Sequence, residues 1–421
     1  MTDTILSCEE ARKRLLQFTG SVGTEMVRLA DSLGRILAED IRAAADVPGW
    51  PRSAYDGYAF RAEDTASASP DAPVTLRILE EVPAGKVPES CLTEGTAVSV
   101  LTGAMLPEGA DAVEMFEKTA FTETSVTLFH PGKPGNNVVP RGEDAVRGQL
   151  LAAKGTKIDP GLMGVFAAQG YRDIPVFRIP SVGVISTGSE VTEPEEEPRV
   201  RTGREELPGP PPPGKIYNSN RALFEGELRK LGVKPVWIGI ARDSTEQIRE
   251  LLRQALEQCD AVLLTGGVSV GACDLTGRAV LEEGAEILFS GVAMKPGKAC
   301  CYAVRDRKPI FALSGNPASA MTNYHAVAKT GLKRLCGRET EDCFPTEIRV
   351  ALKEDFSKKS KMERWVRGKL DLSDGTVRID VPKQQKNSAL SSTAGCDVMA
   401  VIPAGSGPLP AGTVLKGYLM N

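Results

Sequence analysis

Two histidines, His130 and His325, stand far apart in a chain of 421 residues. That scarcity excludes a histidine-rich metal centre, and a Ser-His-Asp hydrolase would have to use one of these two, neither of which has a nucleophile motif near it. Nine cysteines are scattered at positions 8, 91, 259, 273, 300, 301, 336, 343 and 396, with no C-x-x-C spacing. An odd, unpaired set argues against a disulfide framework and against a zinc site. Positive charge is not in excess either. Lys and Arg number 51, Asp and Glu 55, and the net charge of −4 lacks the basic surface that nucleic acid demands. No apolar run is long enough for a bilayer, and Met1-Thr2-Asp3-Thr4 lacks the basic, apolar start of a secretory signal. The expectation is a cytoplasmic protein with neither nucleic acid nor membrane as partner. Neither a Walker A sequence nor G-x-G-x-x-G occurs.

What is present is globular. Hydrophobic residues make up 41% and charged residues 25%, enough for several domains with real cores. "SCEEARKRLLQF" has helical spacing, and Ser7 with Glu10 forms a capping box. "RLADSLGRILAEDI" reads as a second helix, so residues 6–41 are expected to be helical. From residue 46 to about 150, Pro and Gly become frequent and short runs such as 74–82, 97–101 and 125–129 alternate, which predicts a β-rich insert. Between 178 and 330, strands such as "PSVGVIST", "KPVWIGI", "DAVLLT" and "RKPIFAL" alternate with helices, the pattern of a parallel α/β sheet. After 340, five short strand-like runs suggest a small β-barrel or sandwich. The segment 193–214 is charged, Pro-rich and nearly free of apolar residues, and reads as a mobile loop or polyproline linker.

In an open parallel sheet, ligands bind beyond the carboxyl ends of the strands. Four loops here would share that rim: Thr187-Gly188-Ser189-Glu190, Ala241-Arg242-Asp243, "LTGGVSVGACD" ending in Asp274, and Ser314-Gly315-Asn316-Pro317. Asp243 precedes Ser-Thr-Glu and a helix, so it reads as an N-cap, with or without a ligand role. Asp243 and Asp274 together could hold Mg²⁺, which takes a few carboxylates plus phosphate oxygens and water. Glu190 has no helix after it. Thr187, Ser189, Ser269 and Ser314, with the glycine-rich N–H groups of Gly188, Gly266, Gly267, Gly271 and Gly315, can donate to phosphate oxygens, although ordinary turn chemistry uses the same residues. Lys295 and Lys298 flank a Pro-Gly turn between apolar runs, two point charges for an oxyanion. In the β-rich insert, Asp56, Thr102 and Asp144 sit in polar clusters that either close turns or form a second wall facing the rim.

"RSAYDGYAF", "TGAMLPEGADAV", "NNVVPRGEDAVRG", "VISTGSEV", "IYNSN", "LLTGGVSVGACD", "VAMKPGK" and "ALSGNPASA" occur in an order that resembles the molybdopterin molybdotransferases, the MoeA family that includes the E domain of gephyrin. The likeness spans essentially the whole chain. It implies an elongated four-part homodimer. A MogA-like α/β molybdopterin-binding domain would comprise residues 1–24 and 178–330, and a linker or dimerisation domain 25–45 and 146–177. A β-rich domain at 46–145 would supply the partner wall of the active site, and a C-terminal β-barrel 331–421. The implied reaction inserts molybdate into adenylylated molybdopterin with release of AMP, dependent on Mg²⁺. Implied catalytic positions are Asp56, Thr102, Asp144, Glu190, Lys295 and Lys298, with Asp243 and Asp274 as metal ligands. The rim residues would bind substrate, down to Asn316 and Pro317 in the turn before the last helix. A molybdopterin adenylyltransferase and the maturation proteins of molybdoenzymes are the implied protein partners. This chain departs from the family pattern at Tyr55, Ala299 and Ser314. A gephyrin-like scaffold and a MogA-like adenylyltransferase are the rival readings.

Overall fold

A computed structural model describes residues 5–194, 199–202, 205–268, 275–373 and 375–420. The capping box forms as the sequence predicts. Glu10 N–H donates to Ser7 Oγ, Ser7 N–H donates to the Glu10 carboxylate, and the helix runs Cys8–Phe18. Its apolar stripe, Cys8, Ala11 and Leu15, is buried against the α/β core.

The second predicted helix does not form. Thr24–Arg28 is instead a strand paired antiparallel with Asp173–Phe177, and Ile41–Arg42 pairs with Leu150–Ala152. Helix propensity is a weak prior that tertiary pairing overrides. Here Leu37, Ile41, Ala152, Phe166, Ile174 and Val176 gain a small core of their own. Gly34, at φ 77°, turns the chain where a helix would have continued.

The insert holds a six-stranded sheet, in the order Ala112–Met115, Gly57–Phe60, Thr96–Val100, Val74–Val82, Ser125–Leu128 and Thr119–Phe121. The chain ends in a closed five-stranded barrel, Glu347–Leu352, Arg378–Asp380, Arg364–Asp371, Val398–Ile402 and Val414–Leu419. One side of this barrel shares the α/β core through Trp365, Met399, Val401 and Tyr418. Trp365 and Tyr418 stack with centroids 5.1 Å apart, and the Arg12 guanidinium of the first helix lies over both rings.

The α/β sheet positions the site. We label its strands β1 (Ser181–Thr187), β2 (Lys234–Ala241), β3 (Ala261–Thr265), β4 (Glu286–Phe289), β5 (Cys300–Arg305) and β6 (Lys308–Leu313). Their spatial order is β2-β1-β3-β6-β5-β4. β2, β1, β3 and β6 are parallel neighbours; β5 runs against β6 in a hairpin. All residues of β3, and those of β6 after Lys308, are buried on both faces, which is why they read as continuous apolar runs rather than alternating ones. The segment 193–214, expected as a loop, contains a short antiparallel ribbon of Arg199–Thr202 with Glu205–Pro208. No described helix is long and apolar enough to cross a membrane.

Candidate active site

The register of β2-β1-β3-β6 brings their carboxyl ends to one rim. Across it, Gly188 N–H donates to Ala241 O at 3.0 Å and Gly266 N–H to Leu313 O at 2.9 Å. Ser189 N–H donates to Asp243 Oδ2 at 3.2 Å, and Asp243 N–H donates back to Ser189 Oγ at 3.3 Å. This reciprocal pair joins the first and second loops. Asp243 is not the helix cap that its position suggests. Ser244 takes that role, accepting from Gln247 N–H, and the helix starts at Thr245. The Asp243 carboxylate is therefore exposed at the rim rather than consumed by the helix terminus.

Glycine is required where the loops meet. Gly266 has φ 96°, and a Cβ there would collide with Thr187, whose carbonyl would stand 2.6 Å away. A Cβ on Gly188, φ 137°, would sit 2.5 Å from Glu190 Oε2, because the Glu190 carboxylate folds back over this turn. Beside them, Thr187 Oγ1 is buried with no hydrogen-bond partner, and so is Asn220 Oδ1. Asn220 Nδ2 donates to Gly315 O at 2.9 Å, which ties the fourth loop to the helix Ser219–Leu231. Unpaired buried polar atoms are uncommon in proteins, and two of them meet at this rim.

The two lysines stand in the next loop. Cys300 pairs with Leu313, so the residues just before β5 leave the sheet at the edge from which Ser314 departs. The turn Lys295-Pro296-Gly297-Lys298 is held from both sides. Lys295 N–H donates to Glu363 O and Trp365 N–H to Lys295 O, so the barrel fixes one arm. Asn323 Nδ2 donates to Gly297 O at 2.6 Å, while Asn323 Oδ1 accepts from Tyr302 OH at 2.5 Å. Asn323 and Tyr302 are fully buried. Neither was singled out from the sequence, since an asparagine inside a helix and a tyrosine inside a strand carry no motif. Lys215, whose Nζ donates to Ser189 O at 2.6 Å, was missed for the same reason.

In the β-rich sheet, Asp56 Oδ1 accepts from Thr102 N–H at 2.6 Å and from Thr102 Oγ1 at 2.7 Å. The Thr102 N–H, then its hydroxyl, hold the Asp56 carboxyl below its ordinary value. Asp144 lies in a different loop, its N–H bonded to Val47 O. Among the described residues, no hydrogen bond or ion pair joins Asp56, Thr102 or Asp144 to the rim of the same chain. Thr187, Gly188, Ser189, Glu190, Asp243, Gly266, Gly267, Ser314, Gly315, Asn316 and Pro317 do share that rim. Ser269, Gly271 and Asp274 lie outside the described residues.

Three family models match in succession: the MoeA N-terminal region (domain I and II) over residues 6–170, a probable molybdopterin binding domain over 183–334, and the MoeA C-terminal region (domain IV) over 349–420. A molybdopterin molybdenumtransferase of Staphylococcus epidermidis is 34% identical over 416 residues, 99% of this chain and 96% of its own. One of Staphylococcus aureus is 34% identical over 404 residues, 96% of this chain and 93% of its own. The chain belongs to the MoeA family. A crystal structure of a MoeA molybdopterin biosynthesis protein from Pyrococcus horikoshii superposes with a TM-score of 0.82 at 33% identity, covering 99% of this chain and 100% of that one. The MoeA relatives are transferases, and the α/β rim of this member lies wholly within the match to the molybdopterin binding model.

Proposed function

We propose that this protein transfers molybdenum from molybdate to adenylylated molybdopterin and releases AMP. The observation that carries the reading is the rim itself. Four neighbouring strand ends present glycine-rich turns, an unpaired buried Thr187 hydroxyl and exposed carboxylates, and the loop before β5 adds two lysines, in a MoeA-family chain. The backbone N–H of Gly267, with the hydroxyls of Thr187, Ser189 and Ser314, suits the phosphate oxygens. Lys295 and Lys298 suit molybdate, a compact oxyanion that point charges bind and whose transition state they stabilise. In the chemistry proposed, a molybdate oxygen attacks the adenylate phosphorus and the bridging oxygen leaves with molybdopterin phosphate. The dithiolene sulfurs then displace the AMP oxygen from molybdenum.

The donor set fits Mg²⁺. Asp243 and Glu190 offer hard carboxylate oxygens, and Asp243 with Asp274 would hold the ion; among the described residues no cluster of three ligating groups occurs. Bound there, Mg²⁺ would neutralise phosphate charge. Glu190 would orient the phosphate or a water, and the Ser189–Asp243 pair would keep the Asp243 carboxylate aimed at the rim.

A homodimer completes the reading, with Asp56, Thr102 and Asp144 acting as the opposite wall of a shared cleft. Its support is the unpartnered apolar surface of the linker region. The helix Pro160–Ala168 is apolar throughout yet buries only Phe166, and Val165, Met26 and Leu33 are exposed. A protein that bound partners only as a scaffold would have no use for the lysine turn or the carboxylates, and a MogA-like adenylyltransferase none for the β-rich insert and barrel. AMP release measured with and without molybdate and Mg²⁺ tests the proposal. Release that depends on both and fails in Asp243→Asn supports it; release without molybdate, or Asp243→Asn at wild-type rate, refutes it.

A further inference from the structure

A cavity opens at the end of the α/β sheet opposite the rim, beside the amino ends of β1 and β2. It measures about 290 Å³, and Pro180, the residue before β1, lines it. One water occupies only about 30 Å³ of the liquid, so the space admits a group several times larger. β1 spans seven residues, which at about 3.3 Å each sets the cavity about 20 Å from Thr187 at the rim.

The walls come from distant parts of the chain. Arg35 and Lys157 belong to the linker region and Arg178 to the connection into the sheet. Arg229, Lys230 and Arg338 stand at or just beyond the ends of two helices, Ser219–Leu231 and Lys329–Leu335. Among the described residues, no Asp or Glu lines the cavity. The charge balance decides whether such a wall is unusual. Arg35 pairs with Glu25, Arg178 with Asp260, and Arg229 with Glu225 at 3.0 Å. Glu339, beside Arg338 in the chain, is 3.7 Å from Arg334. Lys157, Lys230 and Arg338 have no hydrogen bond or ion pair to a carboxylate among the described residues. The two helix ends answer part of this charge, since each carries about half a unit of negative charge, and three cations exceed that by about two units. The surplus reaches inward. Burial first, and then the field of Arg338, hold the Lys333 ammonium below its ordinary value.

We propose that this cavity binds a diphosphate group, with Arg338 as its fork and Lys157 and Lys230 as point charges. A guanidinium matches phosphate oxygens in pairs and keeps its charge. Two adjacent phosphates, rather than one, suit cations drawn from three separate segments. Leu33 also lines the cavity and belongs to the exposed apolar surface of the linker region, so binding is measured on the full-length protein in its native oligomeric state.

The test is calorimetric titration of pyrophosphate, phosphate and ADP at pH 7 and fixed ionic strength, without divalent cations. Pyrophosphate is expected to bind saturably, and to keep doing so in Lys295→Met/Lys298→Met, which removes the lysines of the rim. Phosphate should bind about tenfold more weakly, the loss of charge-assisted bonds on one side. ADP distinguishes the sources of the group: ADP that binds tighter than pyrophosphate assigns it to a nucleotide, and otherwise the free ion is the ligand. Arg338→Met should weaken pyrophosphate about tenfold. Lys157→Met, at an exposed position, should weaken it severalfold and leave the unfolding midpoint of the free protein unchanged, so the result stands even if Arg338→Met folds poorly. Absence of saturable heat would overturn the proposal, as would phosphate binding as tightly as pyrophosphate. So would binding that is lost in Lys295→Met/Lys298→Met but undiminished in Lys157→Met.

Discussion

Replacing Asn323 with Ala should separate the stability of this protein from its grip on the oxyanion. Asn323 Nδ2 donates to the Gly297 carbonyl, and Asn323 Oδ1 accepts from Tyr302 OH. Both partners are buried, Tyr302 completely. Each buried polar group left without a partner costs about 1–3 kcal/mol, so with two groups orphaned Asn323→Ala should lose about 2–6 kcal/mol of unfolding free energy in urea. The second consequence is functional. Gly297 sits between Lys295 and Lys298 at φ 100°, and the bond to Asn323 fixes the turn from below. Freeing it should raise the KM for molybdate at least tenfold, which corresponds to about 1.4 kcal/mol. Tyr302→Phe is the control. It removes the hydroxyl but keeps the bond to Gly297, so it should destabilise by about 1–3 kcal/mol with the molybdate KM near wild type. An Asn323→Ala enzyme that is destabilised but binds molybdate as the parent does would refute the positioning argument. So would a Tyr302→Phe enzyme with the same KM change.

Gly337→Ala should cost about 3 kcal/mol or more in urea unfolding, because φ is 90° and the new Cβ would land on the Phe177 ring. Asp260 takes two bonds from Arg178, at 2.6 and 3.1 Å, and two from Ser181, at 2.7 and 2.9 Å. Burial alone would raise its carboxyl, but Arg178 and Ser181 outweigh that and hold it below the ordinary 3.8. The stabilisation is therefore complete above pH 3.8 and lost as pH falls through the lower folded value. Asp260→Asn should cost about 2–3 kcal/mol at neutral pH, with the gap to wild type closing in acid unfolding below pH 3.8. Thr102→Val should let the Asp56 carboxyl rise toward 3.8 in an NMR titration while the backbone bond remains, and an unchanged titration would show that the hydroxyl contributes nothing.

Much of this molecule is legible in its order of residues. The α/β alternation, the glycine that ends the helix at Gly232, the barrel strands and the four rim loops all follow from local spacing and turn chemistry, which neighbours in the chain decide by themselves. So does the family, because eight ordered motifs leave little freedom. Pairing partners distant in sequence settled the rest. Thr24–Arg28 became a strand only because Asp173–Phe177, nearly 150 residues on, offers it a ladder. Asp243 pairs with Ser189 across the rim because Ser244 caps the helix in its place, a choice made by backbone geometry that either residue's identity would have allowed. Tyr302 and Asn323 acquire their role under the lysine turn only when β5 and the helix from Pro317 are packed together. Residue type and spacing determine which chemical groups the chain can offer. Which buried groups lack a partner, and so where a ligand fits, depends on contacts that exist only after the chain has folded.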